Sequence, residues 1–524
     1  MSAFVDPFVG ALDLLADPRT WIYVAIGTLF GILTGALPGL ATTLGYALLL
    51  PFTFQMDTVF AVTMLLSLTV GVAYGNNIPS ILVGVPGTPA AVLTVLDGYS
   101  LHRRGETGLA LGVAFISANL GQVVSIFFFI GAVVPLAGIA YNFLNPELFS
   151  LYVFGIVAIV SLTGKSMLKG LMAAGFGFLL AMVGLDPVNW TPRFDFGFFR
   201  LRSGLSVPAL LIGLLAVSEL FRQARQTFQY PPPTEESRAK SRFPAFRRWK
   251  RAIPAMLGGT VVGTIVGAIP GAGGTPAALI AYQQAQMFSK HPEEFGTGSI
   301  EGIAANEAAQ NASSSGELIP TLGLGIPGSG SMVLLLAALT LNGFIPGPQL
   351  IDEAPQLLYA TVAGLLGASI FVMVFGWPMA RSLHWVLTLD RSVVIIAGLV
   401  TISLGIYSLN YRLFDVAVCF AAGMVGYFML RYGYSTAAAA LALVLAAGLE
   451  ASFRRGLTLT GNNYVEFFAR PITAAVMLLS LTFLVIGLVR THKFHRREAA
   501  RLVAGDESLD AEDEMREASL GEDS

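Results

Sequence analysis

The residues of this chain best placed to do chemistry stand beside paired breaks in an apolar background. Gly35-Ala-Leu-Pro-Gly39 returns as Gly267-Ala-Ile-Pro-Gly271, and each copy has another glycine four residues upstream, Gly31 and Gly263. Gly84-Val-Pro-Gly87 returns as Gly325-Ile-Pro-Gly328. Proline removes a backbone donor and kinks a helix, and glycine admits backbone angles that other residues avoid. Thr88-Pro89 follows Gly87, and Thr275-Pro276 follows Gly271 after a short glycine-rich stretch. Threonine is a good N-cap and proline suits the first helical position. Thr42 or Thr43 could cap after Gly39, and Ser329 or Ser331 after Gly328. The expectation is four half-helices whose N-termini converge, offering free N–H groups and positive dipole ends to an anion.

The motifs contain no Lys or Arg, so recognition falls to backbone amides and hydroxyls. Gly39, Thr42, Gly87, Thr88, Gly271, Thr275, Gly328 and Ser329 are the candidate substrate-binding donors. Asn76, Asn77, Asn311, Ser313, Ser314 and Ser315 are candidates for tuning substrate or ion contacts, and with unwound carbonyls they could hold a coupling Na⁺. Glu301, Glu307, Glu317 and Asp97 are acids in or near the apolar segments, where a proton relay or cation site is the default functional reading. Each also has a plainer reading. A lone Pro-Gly pair is a hinge or packing feature, the asparagines are interhelical glue, Glu301 and Glu307 are surface or structural groups, and Asp97 caps a turn. The repetition, with hydroxyls following, favours a site for the set as a whole.

These breaks need helices that cross a membrane. The chain has 524 residues, 54% hydrophobic and 12% charged, with a mean hydropathy of +0.69, against about 25% charged in a soluble domain. Apolar stretches such as 21–37, 109–137 and 474–489 are near the length of a span. The fold class expected is an all-α polytopic membrane protein with about 10–12 transmembrane helices and broken or re-entrant segments in two inverted repeats. The divisions are 1–221, a first membrane repeat with additional spans; 222–251, a basic cytoplasmic linker carrying Pro231-Pro-Pro233; 252–490, a second membrane repeat with additional spans; and 491–524, a charged, disordered cytoplasmic tail. No cleavable signal is evident near Met1.

The inversion is read from charge. The first repeat follows Asp6, Asp13 and Asp17, whereas the second follows the basic linker. The second break of the first repeat is followed by His102-Arg103-Arg104, and that of the second by Asp352-Glu353. Because cytoplasmic loops are rich in Lys and Arg, opposite ends of the two repeats face the cytoplasm. Matching interruptions in two halves are the best sequence pointer to a transporter's site.

Other chemistry finds little support. The lone Cys419 excludes an intramolecular disulfide and any multi-cysteine metal site. Gly164-Lys165-Ser166 resembles the end of a P-loop, but Ile159 stands where its first glycine belongs. Asn311-Ala-Ser313 matches a glycosylation acceptor only by chance if it is embedded in the membrane. The histidines, His102, His291, His384, His492 and His495, fall outside the breaks, and no nucleophile–base constellation appears. The expectation is no enzyme and no cofactor. The alternative class is a passive channel or ion exchanger that uses the same broken-helix site without a binding protein.

The whole set resembles the large membrane subunit of the tripartite tricarboxylate transporter family, the TctA type. The resemblance rests on Gly35–Gly39, Tyr74-Gly75, Gly84-Val-Pro-Gly-Thr-Pro-Ala-Ala91, Leu96-Asp-Gly-Tyr99, Gly267–Gly271, Phe295-Gly296, Glu301-Gly302, Glu307-Ala308, Asn311-Ala312, and Ile319-Pro320 through Ser329. These residues span both halves in family order. The resemblance implies a multi-pass protein of the bacterial inner membrane that imports organic di- or tricarboxylates on an ion gradient, Na⁺ or H⁺, rather than on ATP. It implies two partners, a periplasmic solute-binding protein (TctC type) and a small membrane subunit (TctB type). Elevator-like movement follows only by analogy with other inverted-repeat carboxylate transporters. Asn76-Asn77 stands where the family usually has Gly-Ser, and Gln310-Asn311 where it often has paired asparagines. Both departures lie in the expected pocket, so the resemblance does not carry citrate over as the substrate.

Overall fold

In the computed structural model, residues 2–37, 42–140, 143–163, 166–186, 191–225, 243–344, 347–382, 391–489 and 491–492 are described. Gly39, most of the linker, His384, His495 and nearly all of the tail lie outside them. Among the described residues the chain is helical apart from a two-stranded antiparallel pair, Gly184–Leu185 with Pro192–Arg193. Among the described residues, nine helices are long and apolar enough to cross a membrane. Shorter apolar helices include Thr42–Thr53 and Gly330–Leu341, which begin just after breaks. The expected all-α polytopic class is what the structure shows.

Nine helices position the breaks: α1 (Pro18–Ala36), α2 (Thr42–Thr53), α3 (Thr58–Gly75), α4 (Thr107–Ala140), α5 (Ile253–Gly267), α6 (Gly274–Phe288), α7 (Ile300–Gly323), α8 (Gly330–Leu341) and α9 (Pro355–Phe371). Each half repeats one pattern: α1, break, α2, then α3 and a break; α5, break, α6, then α7 and a break.

Small residues determine how these helices meet. A Cβ at Gly27, Gly31 or Gly35 of α1 would lie 2.2, 2.3 or 2.5 Å from the carbonyl oxygens of Met64, Leu68 and Val72. The contacts advance in step, so α1 and α3 run parallel with their backbones touching. Gly259, Gly263 and Gly267 of α5 meet the carbonyls of Ala305, Ala309 and Ser313 at 2.4, 2.3 and 2.6 Å. Within a bilayer, where apolar burial drives association weakly, such close backbone packing is the main cohesive device.

The two halves run in opposite directions. Beyond α3 the chain reaches Asp97, whose carboxylate accepts from the N–H of Gly298 and Ser299 at 2.9 and 3.0 Å and from the Tyr282 hydroxyl at 2.8 Å. Ser299 is the N-cap of α7. The α3 arm therefore ends where α7 begins. The Arg248–Glu106 ion pair, 2.7 Å, places the end of the linker on that same side. Cross-packing agrees. Thr63 and Ser67 of α3 donate to the carbonyls of Ala360 and Gly364 of α9, while Gln122 and Ser125 of α4 each meet the Ser315 hydroxyl of α7 at 2.8 Å. Each return helix thus packs on the opposite repeat. The antiparallel relation is the one that the charged flanks imply.

The additional spans of both halves pack on one another outside this pair of units. Gly177 meets Ala439, and Gly213 meets the carbonyl of the buried Cys419. At a helix end, Asp186, Arg193, Glu450 and Arg454 form one ion-pair network.

Candidate functional site

The second break of each half is built identically. Pro79 and Pro320 lie inside the crossing helices, and each carbonyl accepts two N–H groups of the following loop. Val83 and Val85 donate to Pro79 at 3.0 and 3.3 Å, and Leu324 and Ile326 donate to Pro320 at 3.0 and 3.1 Å. A carbonyl has two lone pairs, so one oxygen anchors a loop that doubles back. Gly84 and Gly325 supply the reversal at φ +71° and +72°. The loop then lies on the helix it has just left. A Cβ at Gly87 would be 2.7 Å from Asn76 Cα, and one at Gly328 would be 2.5 Å from Glu317 Cα. These two glycines therefore serve close approach.

Thr88 and Ser329 follow in extended conformation, and helical turns start at Pro89 and Gly330. Neither hydroxyl caps the turn it precedes. Instead each is held by the polar residue under the preceding glycine. Asn76 Nδ2 donates to Thr88 Oγ1 at 3.2 Å, and Ser329 Oγ donates to Glu317 Oε2 at 2.5 Å. The expected hydroxyl caps are thus replaced by cross-links, and the first-turn N–H groups carry no side-chain cap.

The third break departs from expectation in another way. The N-cap of α6 is Gly273, at φ +67°, and Thr275 already lies within the helix. Gly271, at φ +79°, packs against the backbone of Ile159, and its N–H donates to the Gly328 carbonyl at 2.9 Å, joining the third break to the fourth. A left-handed backbone at 271 and 273 leaves only glycine to end the loop, which displaces the threonine from the cap.

These starts meet in one cavity of about 230 Å³. Thr42 and Thr43 line it from the first break, Thr88 to Ala90 from the second, Gly271 to Thr275 from the third, and Ser329 to Ser331 from the fourth. Thr69 and Ala73 of α3 and Gln310, Ser313, Ser314 and Glu317 of α7 complete the wall. Among the described residues, the lining is rich in hydroxyls, holds one carboxylate and contains no Lys, Arg or His. A larger pocket, about 370 Å³, opens beside Arg251, Lys290, His291 and Glu301 at the outer ends of α5 to α7. It takes in none of the breaks, and size alone does not make it the site.

Of the residues singled out by sequence, Thr42, Thr88, Gly271, Thr275, Ser313, Ser314 and Ser329 line the cavity. Gly87 and Gly328 lie behind it as packing positions, and Gly39 falls outside the described residues. Asn76 stands behind Thr88. Ser315 bonds to α4, and Asn311 donates to the Glu307 carbonyl at 2.9 Å, both facing away from the space. Thr43 and Ser331, expected only as alternative caps, and Gln310, expected in the pocket but not among the donors, also line it, whereas sequence reasoning missed Thr69 and did not place Glu317 there. The signal was present: Gln310, Ser313, Ser314 and Glu317 follow the three-and-four spacing of one helix face.

A second polar cluster lies farther along α7. Glu307 accepts from the Thr94 hydroxyl, and Asn306 Nδ2 donates to Thr94 Oγ1 at 2.6 Å. Asn77 sits beside the same carboxylate, but its amide falls short of hydrogen-bond geometry. Asp97, expected to cap a turn, caps the start of α7 in the opposite repeat. Among the described residues, no group of three or more His, Cys, Asp or Glu side chains is arranged to hold a metal ion.

Comparison with known proteins places this geometry in context. Residues 21–441 match the profile of the tripartite tricarboxylate transporter TctA family. The chain is 32% identical over 472 residues to an uncharacterized 52.8 kDa protein in the TAR-I ttuC' 3' region of Agrobacterium vitis, covering 90% of this chain and 94% of that one. It is also 32% identical over 221 residues to an uncharacterized protein in the TAR-II ttuC' 3' region of the same organism, covering 42% of this chain and 91% of that one. No solved structure matches.

Proposed function

The chain belongs to the tripartite tricarboxylate transporter TctA family, a family of multi-pass transporter membrane components, and from that premise we propose that it is the large permease subunit of an ion-gradient-driven importer of organic di- and tricarboxylates. It would act in the bacterial inner membrane with a periplasmic solute-binding protein of the TctC type and a small membrane subunit of the TctB type. The coupling ion would be Na⁺ or H⁺, with no bound cofactor.

One observation carries this reading: four interrupted segments, two from each of two opposed repeats, contribute helix starts and hydroxyls to a single cavity. N–H groups at the start of a helix hold anions without any cationic side chain. Thr88 and Thr275 present hydroxyls beside two of these starts, and Gln310, Ser313 and Ser314 add donors from α7. An anion held by dipoles and hydroxyls is retained less tightly than one paired with arginine, as release to the cytoplasm demands. Because the arms enter from opposite sides, the same cavity can open to either face through equivalent movements of one arm against the other.

The test is uptake of labelled citrate and succinate into proteoliposomes that hold both membrane subunits and are supplied with the binding protein. Thr88→Val and Thr275→Val should each weaken uptake by about tenfold, the value of one hydrogen bond to a charged group. Wild-type kinetics in both variants would remove the site assignment. Uptake without the binding protein, with no accumulation against the solute gradient, would identify a passive channel instead.

A further inference from the structure

We propose that Glu317 carries a proton whenever the cavity holds a carboxylate, so that each anion admitted brings one proton with it. This rests on the carboxylate-import reading and deepens it by naming the coupling group.

The two halves place different chemistry on matching ground. Asn76 and Glu317 occupy the same position in their repeats: each lies beneath the second-break glycine, Gly87 or Gly328, and each is bonded to the hydroxyl that follows it. On one side that residue is a neutral amide. On the other it is an acid that lines the cavity and is 6% exposed.

Among the described residues, no cation is paired with it. The lining contains no Lys, Arg, His or second acid. α4, α5 and α8 pack on or beside α7 and carry no titratable side chain. From α2 comes Tyr46, whose hydroxyl is paired with Thr69 Oγ1 at 2.8 Å. Tyr74 of α3 donates to the Gly376 carbonyl, and Tyr282 of α6 to Asp97. On α7 itself, Glu307 is bonded to Thr94 and Glu301 to Ser289. The neighbouring helices Asn145–Thr163 and Thr436–Leu459 hold Glu147, Glu450 and Arg454 in ion pairs with Arg470, Arg193 and Asp186, while Tyr152 packs against Gly448 and Arg455 is exposed. None of these groups lines the space.

An ionised Glu317 and a substrate carboxylate about 5 Å apart, in a partly dehydrated cavity, repel strongly enough to weaken binding on the order of 10²-fold. Protonation removes the repulsion and turns the acid into one more donor for the substrate. The balance is simple: a proton from the outer solution binds a carboxylate oxygen of Glu317, the anion enters, and both leave on the inner side.

The experiment uses the same proteoliposomes, with a pH-sensitive dye trapped inside and labelled citrate and succinate as probes. Wild type should acidify the lumen as label enters and accumulate label on an imposed inward proton gradient. Its apparent affinity should fall about tenfold per pH unit above the midpoint. Glu317→Gln should exchange label with no pH dependence and no acidification. The symmetry-related amide at Asn76 argues that this variant folds, and its melting temperature checks that. Glu317→Asp, which keeps a titratable group, should restore acidification. Wild-type uptake that carries no proton would overturn the proposal and leave the import reading standing. So would a Na⁺ requirement that disappears in Glu317→Gln, which would assign that ion to the carboxylate instead. No movement of either probe by wild type would sink both readings.

Discussion

Gly258 and Gly259 are neighbours in α5, and a methyl group added at each should have opposite consequences. A Cβ at Gly259 would stand 2.4 Å from the Ala305 carbonyl oxygen and 3.0 Å from its Cα, whereas one at Gly258 meets nothing within 4 Å. The obstructing atoms are backbone and cannot rotate aside. To restore ordinary contact, α5 and α7 must part by roughly 1 Å. Overpacking of this kind costs about 1–3 kcal/mol. The upper part of that range applies here, because Gly263 and Gly267 continue the seam and lose contact as it opens. Alanine for glycine at the unobstructed Gly258 favours the helix by up to about 1 kcal/mol. The two variants should therefore differ in stability by about 2–4 kcal/mol. Thermal unfolding in detergent, followed by tryptophan fluorescence, should place Gly259→Ala several degrees below wild type and Gly258→Ala at or above it. The third break sits at the end of α5, so Gly259→Ala should also lose most carboxylate uptake. Equal melting temperatures for the two variants would refute the close parallel crossing and, with it, the way the breaks are held.

Two further outcomes follow from the same geometry. Asp97→Asn offers one acceptor oxygen where three donors now converge, which leaves a buried donor unpaired at a cost of about 1–3 kcal/mol. Amide exchange at residues 298–303 should accelerate, and unchanged protection there would count against the contact between repeats. Gly273→Ala forces a side chain into the left-handed region at φ +67°, costing roughly 1–2 kcal/mol. Uptake should fall with the shifted start of α6, and wild-type uptake would show that the third break does not line the route.

The breaks and the opposed repeats were legible because their signals are local. Proline and glycine punctuate a helix wherever they stand, and the charged flanks report sidedness directly. The facing of polar residues was not legible from type alone. Successive helical residues point about 100° apart, so Asn311 and Ser315 sit next to Gln310 and Ser314 in sequence yet face α4 and their own helix rather than the cavity. The cap at the third break was misread for a comparable reason. Thr275-Pro276 has the composition of a helix start, but the left-handed turn at Gly271 and Gly273 begins the helix earlier. Asp97 was read as serving a local turn because its true partners, Gly298 and Ser299, are some two hundred residues away and visible only in the fold.

The comparison of the two halves bears on how such a machine takes a direction. The glycine seams, the proline-anchored loops of the second breaks and their positive-φ reversals match between the halves, so on the import reading the two arms can exchange roles at little cost. A balanced scaffold alone would equilibrate solute without concentrating it. The imbalance enters at the matching positions beneath the second-break glycines, Asn76 and Glu317, which differ in charge. An amide there holds the loop on its hydroxyl at every pH. An acid in the mirrored place makes occupancy of the cavity depend on what neutralises it. In this reading the backbone symmetry supplies the two openings, and the broken symmetry at Asn76 and Glu317 ties the passage of an anion to the passage of a compensating charge.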